Sequence, residues 1–479
     1  MPEVNGSLRV RGQADYRLAG EPSTVPARPA SPATPASPAT PASPATPVSS
    51  ATPATPVSPA AAATAAARRG RGKASAAAVT LVDAETVRPE WTELYEASGC
   101  ANPFAHPDWQ LAWSDCFVRP GRARTLAVRQ GGRLIGIAPF YLDTPLPSPL
   151  SPRILRLVGS GGPSRLFELP QMLSAPGEHR RVARLAVGAA VTCLPGWDWL
   201  EVSLAPDHGW FEPRWLEGER SEGERSAGQR SAGRRARTVS PLVVPKATQA
   251  CPVLTLPADS PTFDAGLKRN LKESLRRARN RLANTGRPWR TVTVGSDERG
   301  FHAALSELAR LHTMRAGMAG RVTHLDALAD PREARLLAGV LGRSAGRRRL
   351  VVRLLELDGT AVAGLLVHVY NDRVYLSLSG VDPARWDLNA STYLQYETAL
   401  GAIKEGRRAM HFAAGVDTAK LRWTEDLETH HEFAVAAPGR RSRALFATYW
   451  AGRALAQVRR EARRTHIPRV PHGAREDRQ

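Results

Sequence analysis

The residues best suited to chemistry lie between positions 385 and 420. Arg385-Trp386-Asp387-Leu388-Asn389-Ala390-Ser391 leads into an apolar-periodic stretch, Ser391–Glu405, which the spacing predicts as a helix. A helix start carries free N–H groups and a partial positive charge, and both suit a phosphate. Arg385 can add a charge-assisted contact to the same anion. The plainer reading is that Asn389 or Ser391 only caps the helix. His411 follows on an expected strand, Ala409–Ala413. An imidazole has an ordinary pKa near neutrality, where a proton acceptor works best. A hydrogen-bonded structural histidine is the bland alternative. Asp417 and Lys420, just beyond, either orient a substrate or pair at the surface. Tyr393 on the helix either gives a proton to a leaving group or fills a core.

A second basic feature runs from Pro261 to Asn284 and is expected as one helix. Ser260 suits its N-cap and Pro261 its first position, while Gly286 and Pro288 stop it. Phe263, Leu267, Leu271, Leu275, Ala278 and Leu282 form an apolar stripe. Lys268, Lys272, Arg276, Arg277, Arg279 and Arg281 cover the other faces, where they meet either solvent or the phosphates of a ligand. The segment Arg440–Arg464 is also basic and helical, with Leu445, Phe446, Tyr449, Trp450, Leu455 and Val458 on an apolar side. It packs on the domain or meets an anionic membrane surface.

The elements that must position these residues come in two similar series. The first reads Val79–Val82 strand, Glu85–Ala97 helix, Asp108–Phe117 helix, a hairpin of 126–129 and 134–141, an Ile154–Val158 strand, a Glu178–Cys193 helix and a Trp199–Leu204 strand. The second reads Trp289–Val294 strand, helices at 297–316 and 331–341, and strands at 350–357, 361–370 and 373–379. A 391–405 helix and strands at 409–413 and 431–436 complete it. Gln130-Gly131 precedes Gly136 at the spacing by which Asp358-Gly359 precedes Gly364, which suggests one fold used twice. Glycine inside a strand implies close approach of a neighbour.

The 479 residues carry 66 Lys+Arg against 45 Asp+Glu, a formal charge of +21. That favours an acidic partner without choosing among nucleic acid, anionic lipid and phosphorylated ligands. From Glu21 to about Pro59 the chain repeats Ser-Pro-Ala-Thr-Pro-Ala, too polar and too Pro-rich to build a core. A disordered tail is expected over residues 1–78, and an unstructured insertion over 217–237. The four cysteines lie far apart, with no CxxC pair, so neither a metal site nor a disulfide framework is expected. With no early apolar leader and no membrane-length run, the expected location is a reducing cytoplasm.

Several short motifs, in order, resemble the CelD-like acetyltransferases of the GNAT superfamily. They are Ala101-Asn102-Pro103-Phe104 with Asp108-Trp109 and Trp113, then Gly136-Ile137-Ala138-Pro139. Leu275-Arg276-Arg277 with Arg281 and Gly286 follows, then Leu311-His312 with Arg315, then Phe412, Gly415, Lys420 and Trp423. His411, Ala413-Ala414 and Asn389-Ala390-Ser391 depart from the family's Asp, Gly-Arg and Ser-Pro-Gly. The resemblance spans about residues 79–437 and implies an α+β, GNAT-type fold: two tandem mixed, mainly antiparallel sheets flanked by helices. A degenerate first domain would span 79–258, a catalytic second 259–439, and a basic helix and tail 440–479.

The resemblance further implies acetyl-CoA or another acyl-CoA as co-substrate, with its pyrophosphate at Arg385, Asn389, Ala390 and Ser391. His411 would serve as base and Tyr393 as acid. Asp417, Lys420, Arg276, Arg277, His312 and Arg315 would contact the acceptor, a small amine or a cell-envelope precursor. FemAB-like proteins offer an alternative, with aminoacyl-tRNA as donor; a non-catalytic scaffold is the other. DNA is not an expected partner.

Overall fold

The computed structural model describes residues 76–465, apart from 147, 149–150, 162–163, 210, 213–241, 319–324 and 348. The tail to residue 75, the insertion 217–237 and everything beyond 465 lie outside the described residues. The first half contains β1 (Ala77–Val82), α1 (Arg88–Ser98), α2 (Pro107–Phe117), β2 (Ala123–Gln130), β3 (Arg133–Asp143), β4 (Ile154–Leu157), β5 (Leu173–Ser174), α3 (His179–Cys193) and β6 (Trp199–Leu204). After β7 (Val243–Thr255) come α4 (Ser260–Gly266), α5 (Arg269–Asn284), β8 (Trp289–Gly295), α6 (Phe301–Ala316), α7 (Pro331–Arg343), β9 (Leu350–Leu357), β10 (Thr360–Tyr370) and β11 (Arg373–Val381). The chain continues through α8 (Ala390–Lys404), β12 (Ala409–His411), α9 (Thr418–Leu421), β13 (Leu427–Ala436) and α10 (Arg440–Thr465).

Among the described residues the strands form one sheet in the order β1-β2-β3-β4-β6-β13-β7-β12-β11-β10-β9-β8, with β5 on β3. From either end the pattern is the same. Four strands run antiparallel, then a parallel step follows, β4 to β6 in one half and β11 to β12 in the other. This is the mixed α+β, GNAT-type architecture, present twice. The two middle strands are shared. β13, late in the sequence, pairs with β6 of the first half, while β7 pairs with β13 up to Pro252 and with β12 from Val253 on.

Core packing follows the strand alternation. On one face, α1 and α2 of the first half meet α6 and α7 of the second through a shared cluster that includes Trp91, Trp109, Trp113, Leu308, Leu336 and Tyr370. Trp109 and Trp113 have no exposed surface, and each such aromatic stabilises by about 3 kcal/mol. On the other face α3 covers the first half, and α5 and α8 cover the second. The aromatic side of α10 packs on Trp199 and Ile154, while Leu455 and Val458 stay exposed.

Three details differ from the sequence reading. The stretch expected as one helix from Pro261 is two, because Leu267 and Lys268 are extended (ψ 139° and 142°) after Gly266, a poor helix former. That break lets Lys268 reach the Leu421 carbonyl at 2.9 Å and Glu425 at 2.6 Å. The N-cap is Asp259, accepting from the Thr262 amide at 2.7 Å, rather than Ser260.

The hairpin glycines are also not equivalent. The left-handed turn residues are Gly131-Gly132 in one half and Asp358-Gly359 in the other, so the matched spacing was one residue out of step. Gly136 accordingly faces α3, where an added Cβ would lie 2.3 Å from Val182. Gly364 faces α6, 2.9 Å from Leu308. The duplication stands on strand order instead.

Candidate active site

The parallel pair β11–β12 is short. Arg373, Val374 and Tyr375 lie opposite Ala409, Met410 and His411, and there the pairing ends. β11 runs on to Val381, while the chain after β12 bends toward β7, with the Phe412 amide on Pro252 O and the Gly415 amide on Ala250 O. The two strands therefore part just beyond Tyr375 and His411.

A side chain from the first half fills this fork. Glu168, between β4 and β5, accepts a hydrogen bond from the Tyr375 hydroxyl, and the same oxygen accepts the Ala414 amide at 2.7 Å. Burial pushes the Glu168 carboxyl above its ordinary value, against the pull of Tyr375, Ala414 and the Lys420 charge. Lys420 donates to the carbonyls of Ala413, Ala414 at 3.1 Å and Gly415 at 2.9 Å, and so fixes the bend after β12. Asp417 caps α9 through the Lys420 amide at 2.9 Å.

His411 is 3% exposed and stacks on Tyr375 with ring centres 6.1 Å apart. Its Nε2 lies 3.4 Å from Arg373 Nη1 and its Nδ1 3.8 Å from Glu428. Farther along β11, Arg315 donates to Ser379 Oγ at 2.6 Å. Burial lowers the Arg315 guanidinium from its ordinary value, and Asp417 offsets part of that. His312 is held by backbone at both nitrogens: Nδ1 meets Ser379 O at 2.8 Å and Nε2 accepts the Ala327 amide at 3.0 Å. That fixes a neutral ring with the proton on Nδ1, and burial lowers its pKa in the same sense.

The start of α8 lies at the far end of β11. Asn389 is left-handed (φ 55°) and its side chain does not cap the helix; it donates to Ser274 of α5 at 2.9 Å and accepts from Thr392 at 2.8 Å. The first turn holds no acidic residue. The amides of Ala390 and Ser391 thus start a fifteen-residue helix without a side-chain cap, the arrangement that receives a phosphate. Arg385 is exposed in the preceding turn, and Arg281 of α5 donates to Asp387 O. Arg277 lies between Ser274 and Arg281 on the α5 face that meets this turn. Arg276 and Arg277 are exposed and engage Glu273, at 2.8 Å and 3.4 Å.

The fork thus gathers Asp417, Lys420, Arg315 and His312 around β11, with His411 at its base. Tyr393 is elsewhere. It packs under the opposite face, its ring 5.3 Å from Trp289, and burial pushes its hydroxyl up to about 12, with Glu397 adding to the shift. Glu168, Tyr375 and Ser379 were missed from the sequence. Glu168 sits in an irregular stretch with no periodicity to flag it, and its partners lie 207 and 246 positions away.

Residues 269–421 match the family model described as an acetyltransferase (GNAT) domain. No curated protein matches the chain. Among solved structures, a protein of unknown function from Bacteroides thetaiotaomicron is 12% identical at a TM-score of 0.43, covering 75% of this chain and 99% of that one. The crystal structure of FemX is 10% identical at 0.46, covering 74% and 96%. The C-terminal domain of a putative lysylphosphatidylglycerol synthetase from Agrobacterium fabrum is 10% identical at 0.42, covering 76% and 95%. Likenesses this loose carry no argument about chemistry. The segment 269–421, which matches the GNAT acetyltransferase domain, contains the fork, the start of α8 and the basic face of α5, and that match supports a transferase.

Proposed function

We propose that the chain is a CelD-like, acyl-CoA-dependent N-acyltransferase, with acetyl-CoA as the simplest donor and an amine of a small molecule or cell-envelope precursor as acceptor. One observation carries the reading: an uncapped helix start with no acidic residue in its first turn, flanked by Arg385 and Arg281, beyond the fork of β11 and β12. The backbone of Asn389, Ala390 and Ser391 receives the pyrophosphate, and the acyl arm enters the fork.

In the reaction the neutral amine attacks the thioester carbonyl carbon. The C–N bond forms, the C–S bond breaks, and the proton lost by nitrogen ends on the departing sulfur. Glu168 suits the first proton transfer, because burial raises its carboxyl above the ordinary value, and Tyr375, whose hydroxyl donates to it, stands beside it for the second. His411 is the rival base, with Glu428 and Arg373 beside its nitrogens. Arg315, Asp417 and Lys420 border the acceptor side; Tyr393 contributes through the core beneath.

Aminoacyl-tRNA is the second donor to test, because Arg276 and Arg277 are exposed on a basic helix. A cytoplasmic enzyme, peripheral to the membrane through α10, fits the exposed Leu455 and Val458. No helix among the described residues is long and apolar enough to cross a membrane.

The test is calorimetric titration of the full chain with acetyl-CoA, beside an Arg385→Ala, Ser391→Ala double variant. Micromolar binding that weakens about tenfold in the variant supports the reading. Absence of acetyl-CoA binding, with salt-sensitive tRNA binding instead, overturns it in favour of the second donor.

A further inference from the structure

Three arginines of α6 and α7 come with a carboxylate: Arg310 meets Glu307 at 2.9 Å, Arg332 meets Asp330 at 2.7 Å and Arg343 meets Asp115 at 2.7 Å. Arg315, in the last turn of α6, does not. Its Nη1 donates to Ser379 Oγ at 2.6 Å, and no carboxylate among the described residues pairs with it. Asp417 acts on it from farther off, with one oxygen already taken by the Lys420 amide. Asp326, the next acid along the chain, is engaged by the Thr313 hydroxyl at 3.1 Å and the Leu328 amide at 2.9 Å. Residues 319–324, between α6 and Asp326, contain neither Asp nor Glu.

Arg315 is half-buried, and a charge taken from water without a counter-ion is costly. Burial accordingly lowers its pKa. Ser379 takes one of the five N–H donors of the guanidinium. A planar fork of this kind suits two parallel hydrogen bonds to a carboxylate or phosphate. Its place is rigid, because α6 lies directly on β11: a Cβ at Gly380 would come 2.6 Å from the His312 amide nitrogen. Lys420 spends its ammonium on three carbonyls, so of these two cations Arg315 has the donors to spare.

The donor's phosphates do not account for this group. α6 packs on the face of the sheet that carries Tyr375 and Leu378, whereas α8 packs on the opposite face with Val374 and Leu376. An anion at Arg315 is therefore the acceptor's. Ser379 follows Tyr375 by four residues on β11, on the order of 10 Å along the strand.

We propose that the acceptor is anionic as well as amine-bearing, and that Arg315, aimed by Ser379, holds its carboxylate or phosphate while its amine reaches Glu168. The two groups are separated by up to about 10 Å, so the acceptor carries them at opposite ends, as an ω-amino acid or a phosphorylated amino sugar does. That the ligand is an acceptor rests on the N-acyltransferase reading; the anion site rests on the surroundings of Arg315.

The experiment titrates the full chain, with and without coenzyme A, with 6-aminohexanoate beside its amide, L-lysine beside L-lysine amide and D-glucosamine 6-phosphate beside D-glucosamine. Acetyl-CoA is titrated separately. The wild type is expected to bind at least one anionic amine about tenfold tighter than its neutral partner, and the pair that shows this tells carboxylate from phosphate. Arg315→Gln erases the preference, Arg315→Lys keeps part of it, and Ser379→Ala shrinks it; thermal unfolding confirms that the variants fold. No preference in any pair, or a full preference in folded Arg315→Gln, overturns the proposal. So does an Arg315→Gln variant that loses acetyl-CoA affinity and keeps the amine preference, since the anion is then the donor's. Anionic-amine binding without acetyl-CoA binding leaves the Arg315 site standing and sinks the donor reading; the reverse sinks the Arg315 site alone.

Discussion

Helices α3 and α8 hold the same place in their halves, and both start without a side-chain cap and without an acidic residue in the first turn, yet their surroundings differ. Beside α8, Arg385 is exposed and Arg281 donates to the Asp387 carbonyl, whereas in the first turn of α3 Arg180 pairs with Glu212 and Arg181 with Glu178. One architecture has thus produced one helix start open to an anion and one whose first-turn arginines are already met by carboxylates. Division of labour between duplicated halves needs only a few charges moved at one loop, because the strand order that makes the fork is untouched.

The sharpest way to break this comparison is at Glu168, a first-half residue standing in the second half's fork. Glu168→Gln should lower turnover about 10²- to 10³-fold and leave acetyl-CoA affinity within a factor of about two. If turnover were unaffected while His411→Ala abolished it, the proton would pass through His411. Next in size are the hairpin glycines. Gly136→Ala drives a methyl into the stiff Val182 and should cost about 2–3 kcal/mol of stability, whereas Gly364→Ala meets the end of Leu308 and should cost about 1. Equal losses in urea titrations would contradict the opposite-face assignment.

A smaller effect follows from giving α8 the character of α3. Ser391→Glu should weaken acetyl-CoA about tenfold, while Glu178→Gln should not change its affinity. Weakening by both would place the donor across the two halves. The last test concerns acid. Burial lowers His106, at the seam between the halves, to about 3, and does the same to His368 and His208. The folded values lie below the ordinary 6.5, so the unfolded chain takes up protons that the folded chain refuses. Stability should be complete above pH 6.5 and fall steadily as pH drops toward 3. A flat urea midpoint between pH 6.5 and 4 would mean these rings are not held neutral.

Most of the strand and helix series was legible because apolar periodicity and Gly turns sit where the chain turns, as at Asp358-Gly359. What escaped notice shares a cause: it depends on contacts far apart in sequence. β7 holds Pro245 and Pro252, which normally disqualify a central strand. The chain tolerates the first beside a register shift opposite Phe433, and the second where β7 changes partner. Glu168 had no motif because its meaning comes from Tyr375 and Ala414. The start of α8 was legible because a helix N-terminus is a local property, whereas a cavity that joins a turn at 207 to a strand at 428 has no local signature.

The position of β13 sets an order on synthesis. Residues 199–204 leave the ribosome more than two hundred positions before their partners at 431–436, and until then β6 has no β13 beside it. The N-terminal half cannot finish its sheet as an autonomous unit, as early domains commonly do during translation. A chain cut after residue 258 would emerge with a bare strand edge and a tendency to pair with its copies. The last strand made is thus the one that closes the first half, and both halves reach their final form together.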